Sequence, residues 1–363
     1  MEKTKSKNTS KNTKKKGSRK KGTPSKLMKR ISIACAVFVA LVGAAILWLW
    51  SMTSAKSGND ERERIYVPAG ISSDALSDSL TMHFGDKYAS KVMRLWGWQG
   101  GKIETAEGSY VVEPGTSALS LSRKLLYGRQ DPVKVVFNNA RTMEQLAQKV
   151  TKRMEMSPEQ FLQACDSVLP SAGFDKPNYP AAFMPNTYEF YWNAKPTTVV
   201  QTLLDVRNDF WNDQRRAKAK ALGLKPAEVA TIASIVEEET AKKDEKPMVA
   251  RLYINRLQKH MRLQADPTVK FALGDFSLRR ILGTHLTVDS PYNTYKNIGL
   301  PPGPIRIPEG ATLDAVLNAP QHDYVFMCAK EDFSGYHNFA TDYATHMQNA
   351  RRYQAELNKR GIK

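Results

Sequence analysis

The hydrophobic pattern first marks a long apolar run near the amino terminus. Residues 31–50 carry no charged side chain, and twenty such residues are enough to cross the hydrocarbon core of a bilayer as a helix. We therefore predict one transmembrane helix over residues 31–51. A cleaved signal peptide is the alternative, because Ser54 and Ala55 are small residues of the kind found at cleavage sites, but the run is long for such a peptide.

Shorter apolar segments after the run predict an α+β fold in two parts. Residues 52–63 are polar and charged, which is typical of a linker. A small α+β subdomain is predicted over residues 64–138, and a mixed α+β region over residues 139–363. In the small part, strands are predicted at 65–67 and 133–137, a strand followed by a turn at 108–115, and helices at 72–84 and 117–126.

The larger part is predicted to be mostly helical, with one hairpin near its end. Ser157 followed by Pro158 is a good helix start, since serine caps the free N–H groups of a first turn. The predicted helices are 141–154, 157–169, a single long helix 197–223, and then 247–260, 266–273 and 342–359. The predicted hairpin joins 324–329 to 336–339.

One helix of this region carries three consecutive glutamates. It starts near Pro226, and four apolar residues recur at helical spacing to form a single stripe. They are Val229, Ile232, Ala233 and Val236. At about 100° per residue, Glu237 and Glu239 fall on opposite edges of that stripe, whereas Glu238 points to solvent.

A carboxylate at the edge of an apolar face is partly desolvated, which raises its pKa. A general acid needs a raised pKa in order to hold its proton near neutral pH. Helix geometry alone does not choose between Glu237 and Glu239. The alternative is a solvated cluster of glutamates at a helix end, with no chemical role.

Charge is concentrated at the amino terminus. The chain has a formal charge of +18; residues 1–30 hold thirteen Lys and Arg and one acid, hence 13 − 1 = +12, which leaves +6 for the rest. This polar, basic tail is predicted to be disordered and cytoplasmic, because positive residues flank transmembrane helices on that side. The adjoining apolar run favours a lipid bilayer as the partner, and no nucleic-acid partner is predicted.

Cysteine and histidine provide no cofactor site. Cys35 lies inside the apolar run, and Cys165 and Cys328 could be bridged or could be two free thiols. Neither a CxxC nor an HExxH spacing occurs, and the six histidines are scattered along the chain. We predict no metal ion and no cofactor.

Five short motifs follow one another at close spacing around the glutamates. They are Ala233-Ser-Ile-Val-Glu237, Asn255-Arg256, Leu263-Gln-Ala-Asp-Pro267, Tyr292-Asn-Thr-Tyr295 and Gly299-Leu-Pro-Pro-Gly303. Together they resemble the YceG-like family, the endolytic murein transglycosylases of the MltG type. The resemblance is dense over residues 225–350 and continues more weakly back to about residue 64.

The resemblance implies site residues and a role for the smaller part. In that family the catalytic glutamate directly follows Ser-Ile-Val, which implies Glu237. Residues 64–138 would form a LysM-like wall-binding subdomain; a plain α+β scaffold is the alternative. Asp266, before Pro267, is interpreted as a helix cap rather than a catalytic group. Predicted substrate-binding residues are Glu239, Asn255, Arg256, Gln264, Tyr292, Asn293, Thr294, Tyr295 and His337.

The implied reaction needs only one carboxylate. In a lytic transglycosylase the acid protonates the oxygen between N-acetylmuramic acid and N-acetylglucosamine, the 6-hydroxyl of the sugar attacks C1, and a 1,6-anhydro end results. The resemblance further implies cleavage of nascent peptidoglycan strands at the inner membrane, termination of glycan elongation, and partnership with membrane-bound peptidoglycan synthases. Two other classes stay open: a non-catalytic peptidoglycan-binding protein, and a hydrolytic muramidase with Glu239 as its second carboxylate.

Overall fold

The computed structural model describes residues 26–278 and 280–361. Its helices are α1 (Lys26–Thr53), α2 (Ser73–Phe84), α3 (Asp86–Trp98), α4 (Ile103–Ala106), α5 (Ala118–Leu126), α6 (Met143–Thr151), α7 (Pro158–Val168), α8 (Pro196–Phe210), α9 (Asp213–Ala221), α10 (Pro226–Glu239), α11 (Lys246–Gln258), α12 (Asp266–Leu273), α13 (Gly310–Leu317) and α14 (Tyr343–Lys359). Its strands are β1 (Glu63–Val67), β2 (Gly108–Val112), β3 (Val133–Phe137), β4 (Asn186–Phe190), β5 (Phe326–Ala329) and β6 (His337–Ala340).

Helix α1 contains the predicted transmembrane segment. Its 28 residues have a mean hydropathy of 2.5 over their most apolar window, which makes α1 long and apolar enough to cross a membrane. The helix begins at Lys26 rather than at residue 31. The prediction of disorder is therefore wrong for residues 26–30, and the rest of the predicted tail lies outside the described residues.

The smaller part is built around one two-stranded antiparallel sheet. Strands β1 and β2 pair with Ile65 opposite Tyr110, and α2 and α3 lie between them in the chain. Helices α2 and α5 were predicted to begin at Ser72 and Ser117, and in the structure these two serines are their N-caps. Helix α3 was not predicted, although it packs against both α2 and α5.

A second apolar cluster organises the larger part, and it includes β3. This strand pairs with β4, with Val135 opposite Tyr188, and its inward side chains are buried in the larger cluster. The structure therefore separates the two clusters before Val133, whereas the predicted small part extended to residue 138. Hairpin β5–β6 and helix α14, capped by Asp342, match their predictions.

The predicted long helix 197–223 is in fact two helices. Helix α8 ends at Phe210, and Asn212 caps α9 by accepting a hydrogen bond from the Arg215 N–H at 3.0 Å. Asparagine is a preferred N-cap because its side-chain oxygen satisfies a free backbone donor of the first turn. The sequence prediction overlooked this cap.

Helix α10 lies in the middle of the larger cluster. Every residue from Val229 to Val236 is buried, including Thr231 and Ser234, so the predicted single apolar stripe is wrong. Helices α9, α11, α12 and α13 all pack against α10. Its first turn, and its last turn with the three glutamates, are partly exposed.

Candidate active site

A pocket of about 220 Å³ opens beside the last turn of α10. Helix α11, the segment 263–266, Tyr295 and the hairpin β5–β6 form its walls. The lining residues are Glu239, Leu252, Tyr253, Arg256, Leu263, Gln264, Asp266, Tyr295, Met327, Cys328, Ala329 and His337. Five predicted site residues are among them: Glu239, Arg256, Gln264, Tyr295 and His337. The remaining five are elsewhere.

Glu239 has the properties of a proton donor. Its Oε1 accepts a hydrogen bond from the Tyr253 hydroxyl at 2.7 Å. Burial raises the pKa of Glu239 from 4.5 to about 7; the hydrogen bond from Tyr253 opposes the shift, and the nearby Asp266 charge adds to it. A carboxyl group with a pKa near 7 can give and take a proton at neutral pH.

The pocket holds a second carboxylate, Asp266. The hydroxyl of Tyr295 donates to its Oδ1 at 2.6 Å, which joins α12 to the loop after it. Asp266 was predicted to cap α12, but Ala265 occupies the cap position and Asp266 is the first helical residue. Its side chain is therefore available to the pocket rather than used as a helix cap.

His337 reaches the pocket from β6 and is fixed by Glu245. The Glu245 carboxylate, which is almost fully buried, accepts the His337 backbone N–H at 2.7 Å and lies 2.9 Å from Nδ1. Such a pair leaves Nε2 as the ring nitrogen free to face the pocket and fixes the ring's orientation.

Arg256 lines the pocket, but its main role is to hold two of the pocket walls in place. Its guanidinium donates to backbone carbonyls of Leu263 at 2.7 Å and of Val325 at 2.6 Å, which fastens two walls to α11. Gln264, in the segment held this way, has φ = +50°, a left-handed conformation that is uncommon for a residue other than glycine. Backbone strain of this kind is concentrated at functional sites.

Glu237 lies on the other edge of α10, outside this pocket. Its side chain is 6% exposed, is 3.3 Å from the Arg306 guanidinium and accepts the Glu309 backbone N–H at 3.0 Å. Glu238 was predicted to face solvent, and that is wrong. It pairs with Arg306 at 2.7 Å and with Arg141 at 3.0 Å. Both glutamates therefore tie distant segments to α10.

Four of the predicted binding residues lie outside the pocket lining and stabilise the segments around it. Asn255 is buried and donates to the carbonyls of His322 and Tyr324 at 2.6 and 3.0 Å, so its amide is not available to a ligand. The Asn293 amide is likewise used by the carbonyls of Leu286 and Val288. Both were predicted to bind substrate, and in the structure their amides hold backbone carbonyls instead.

Thr294 and Tyr292 complete this supporting layer. The Thr294 hydroxyl is buried, accepts the Ala265 N–H at 3.0 Å and contacts the Thr268 hydroxyl, so it holds the start of α12. Tyr292 packs its ring on Phe271 with 4.7 Å between centroids. Neither lines the pocket with Glu239.

Sequence reasoning missed Tyr253, the hydrogen-bond partner of Glu239. A usable clue existed, because Tyr253 and Arg256 are three residues apart on one helix and therefore share a face. Cys165 and Cys328 are both free, and Cys328 lines the pocket. In the described part of the chain, no group of three or more His, Cys, Asp or Glu is placed to hold a metal ion.

Comparison with known proteins assigns the chain to a family. The model of the YceG-like family matches residues 65–352. A Bacillus subtilis protein named endolytic murein transglycosylase is 35% identical over 151 residues, which are 41% of this chain and 41% of that protein. A Streptococcus pneumoniae protein of the same name is 31% identical over 145 residues, or 38% of this chain and 26% of its own length.

A solved structure agrees with this assignment. The crystal structure of a YceG-like protein from Listeria monocytogenes superposes with a TM-score of 0.53 at 25% identity, and it covers 80% of this chain and 99% of that one. The fold and the pocket thus define a mixed α+β protein with an apolar anchor-like helix and a glutamate-bearing core helix. The chain belongs to the YceG-like family.

Proposed function

We propose that this protein is a membrane-anchored endolytic lytic transglycosylase that cuts the bond between N-acetylmuramic acid and N-acetylglucosamine in peptidoglycan. The observation that carries the proposal is Glu239, a carboxyl group with a pKa of about 7 in a polar pocket. The named relatives support the reaction class. Because the chain aligns with less than half of their length, the activity is proposed for it rather than transferred outright.

In this proposal Glu239, not Glu237, is the proton donor. The neutral Glu239 carboxyl protonates the glycosidic oxygen, and the C1–O bond to the leaving sugar breaks. The resulting carboxylate then takes the proton of the 6-hydroxyl as that oxygen bonds to C1, which gives the 1,6-anhydro end. One residue acts as acid and then as base, and no water is consumed.

The contacts of Glu237 argue against the assignment that the sequence resemblance implied. Its carboxylate is held by the Arg306 guanidinium and the Glu309 N–H, and it does not line the pocket. A proton donor must reach the bond that it cleaves to within hydrogen-bond distance. Glu239 satisfies this condition for a glycan in the pocket, whereas Glu237 would first have to leave its salt bridge.

The polar side chains around Glu239 are suited to a sugar. Gln264, Tyr295 and His337 offer amide, hydroxyl and imidazole groups on separate walls. We propose that they bind the hydroxyl and acetamido groups on either side of the bond. Asn255, Asn293, Thr294 and Tyr292 keep the walls in place and act indirectly.

The setting of the reaction is proposed on the same basis. Helix α1 would anchor the chain in the cytoplasmic membrane with its amino terminus inside, and the small β1–β2 unit would act as a LysM-like module that binds glycan. An anchored enzyme cuts strands close to where they are made. Termination of glycan elongation, together with membrane-bound peptidoglycan synthases, is therefore the proposed role.

The decisive experiment compares two neighbouring glutamates. Purified full-length protein is incubated with sacculi, and the released muropeptides are weighed by mass spectrometry. Glu239→Gln should lose activity by roughly 10²–10⁴-fold, the range typical of general acid–base catalysis. Glu237→Gln, the matched control, should keep most of it. If Glu237→Gln is the inactive variant and Glu239→Gln is not, the assignment to Glu239 is wrong.

Hydrolysis is the second candidate, because Asp266 adds another carboxylate to the same pocket. Hydrolytic glycosidases pair two carboxylates across the bond that they cleave. The two reactions differ in the product, since an anhydro end is lighter than a reducing end by one water molecule. Asp266→Asn should leave anhydro products in place if Glu239 acts alone.

A further inference from the structure

The carboxyl-terminal end of helix α1 is in contact with the folded part, because α3 packs along its last turns. The indole rings of Trp48 and Trp98 are 5.6 Å apart, and the Lys91 ammonium donates to the Ser51 carbonyl at 2.9 Å. Met52, at the end of α1, is buried. The junction between the apolar helix and the β1–β2 unit is therefore a packed contact.

These two contacts fix the direction of α3. On α1, Trp48 lies about 4.5 Å nearer to the middle of the apolar segment than Ser51, at 1.5 Å per residue. From Lys91 to Trp98, α3 advances by about 10 Å. Because Lys91 meets Ser51 and Trp98 meets Trp48, α3 runs antiparallel to α1, and its carboxyl end points to the level of the apolar segment.

The turn after α3 is constructed so that Trp98 faces outward. Gly100 has φ = +74°, a conformation that glycine adopts without strain, and a Cβ at Gly101 would overlap the Trp96 indole. The turn therefore closes tightly on the buried Trp96. Its neighbour Trp98 remains 57% exposed, which is unusual for a residue of this size outside a binding surface.

We propose that this turn, from Trp98 to Lys102, rests in the interfacial layer of the bilayer as a second membrane contact. Tryptophan is enriched at that level, where the ring is in apolar surroundings and its N–H can meet water or headgroups. Exposed Arg94 and Lys102 lie on either side of Trp98 and suit lipid phosphates; Glu104 is the acidic residue that follows. The inference rests on the proposed anchoring of α1.

The contact would set the orientation of the folded part. A single helix followed by a flexible linker leaves an ectodomain free to rotate over the membrane. Two contacts, α1 and the α3 turn, would restrict that rotation and hold the β1–β2 unit against the membrane surface. The partner is thus a lipid surface, and the occupied layer is the headgroup region.

The test places a fluorescent probe at single cysteines in the full-length chain reconstituted into phospholipid vesicles. The background replaces Cys35, Cys165 and Cys328 by alanine. Trp98→Cys and Lys102→Cys report on the turn; Lys102→Cys keeps Trp98 in place. Val39→Cys reports on the middle of α1, and Tyr343→Cys is an exposed control on the larger part. Spin-labelled lipids quench at the headgroup or deep in the acyl chains.

We expect both turn probes to lose most of their fluorescence to the headgroup quencher, the Val39 probe to the deep quencher, and the Tyr343 probe to neither. If Val39 is quenched but the turn probes are quenched no more than Tyr343, the second contact is refuted and the anchor stands. If Val39 is not quenched by either lipid, the proposed anchoring fails, and the inference fails with it.

Discussion

Three consecutive glutamates at the end of α10 acquire different properties from their neighbours alone. Glu237 contacts Arg306 and a backbone N–H, Glu238 contacts two arginines, and Glu239 contacts a tyrosine hydroxyl in a desolvated pocket. For Glu239, burial outweighs the favourable contact with the Tyr253 hydroxyl, so the pKa of its carboxyl group is raised.

The hydroxyl of Tyr253 should tune the pH profile. It donates to Glu239 and lowers the pKa of that carboxyl, against the larger effect of burial. In Tyr253→Phe, the pKa of Glu239 should therefore rise, and the fall of kcat/KM at alkaline pH should move to higher pH. The measurement is the pH dependence of kcat/KM, which reports groups of the free enzyme.

Tyr292→Phe is the matched control, because Tyr292 packs on Phe271 outside the pocket. Its profile should follow that of the unchanged protein. An alkaline limb that stays in place in Tyr253→Phe, or that moves equally in both variants, would contradict the role given to Tyr253.

Substituting Glu239 and substituting Glu237 should change the free energy of unfolding in opposite directions. The pKa of Glu239 is raised from its unfolded value of 4.5 to about 7. Ionisation of Glu239 therefore does not destabilise the folded state below about pH 4.5, and the destabilisation reaches its full size above about pH 7. Glu239→Gln should therefore be more stable than the unchanged protein at pH 8, by on the order of 1–3 kcal/mol, and equal to it near pH 4.

Glu237→Gln should shift the free energy of unfolding the opposite way. It removes the charge that pairs with Arg306, and a hydrogen bond to a charged group contributes about 1.5–3 kcal/mol. Urea unfolding of both variants at pH 4 and pH 8 provides the comparison. A Glu239→Gln variant that is destabilised at pH 8 would show that the Glu239 carboxylate is not penalised by burial.

At the scale of elements, local sequence patterns predicted where helices begin, but they did not predict contacts between residues far apart in the chain. Ser72, Ser117, Ser157 and Asp342 each mark a helix start, and all four are caps in the structure. The partners of Glu237, in contrast, lie about 70 residues away beside α13, a helix that was not predicted. The pairing of Glu237 and the choice of Glu239 therefore depend on the tertiary fold.

The stiff loop Gly299–Pro304 depends on one close approach. A Cβ at Gly303 would overlap the Pro177 carbonyl, and the next residue but one, Ile305, donates to the buried Ser234 hydroxyl at 3.0 Å. Gly303→Ala should therefore force the loop away from its support and cost roughly 1–3 kcal/mol, as overpacking does. Thermal unfolding is a sufficient measurement.

Gly283→Ala is the control for this substitution, because nothing lies within 4 Å of its Cβ position. Its melting temperature should barely change. If Gly303→Ala were as stable as Gly283→Ala, the segment near Pro177 would have to be free to move aside.

At the scale of the whole molecule, the order of the parts could be predicted from the sequence, but the boundary between the smaller and the larger part could not. The apolar run, the small β1–β2 unit and the larger helical part come in the predicted order. Strand β3 was grouped with the smaller part as the last piece of a strand, turn, helix and strand pattern. Its pairing with β4, about 50 residues later, assigns it to the larger cluster, and no local pattern reveals such a partner.

The distribution of charge predicts the topology of the whole chain. Thirteen of the Lys and Arg residues precede residue 31, so that side should remain in the cytoplasm and Lys56 onward should be outside. Protease added to intact spheroplasts should digest the folded part and leave an amino-terminal fragment protected. Protection of the folded part, with loss of the tail, would reverse the orientation.

The burial of Val229 to Val236, the middle turns of α10, on all sides has a dynamic consequence. Functional groups are usually carried by segments that open easily, whereas the proposed acid is carried by the helix at the centre of the larger cluster. The amide hydrogens of α10 should then exchange with solvent only when the whole larger part unfolds. Glu239 would then be a fixed reference point, and any adjustment to a glycan strand would fall to the other walls of the pocket, the hairpin β5–β6 and the loop that carries Tyr295.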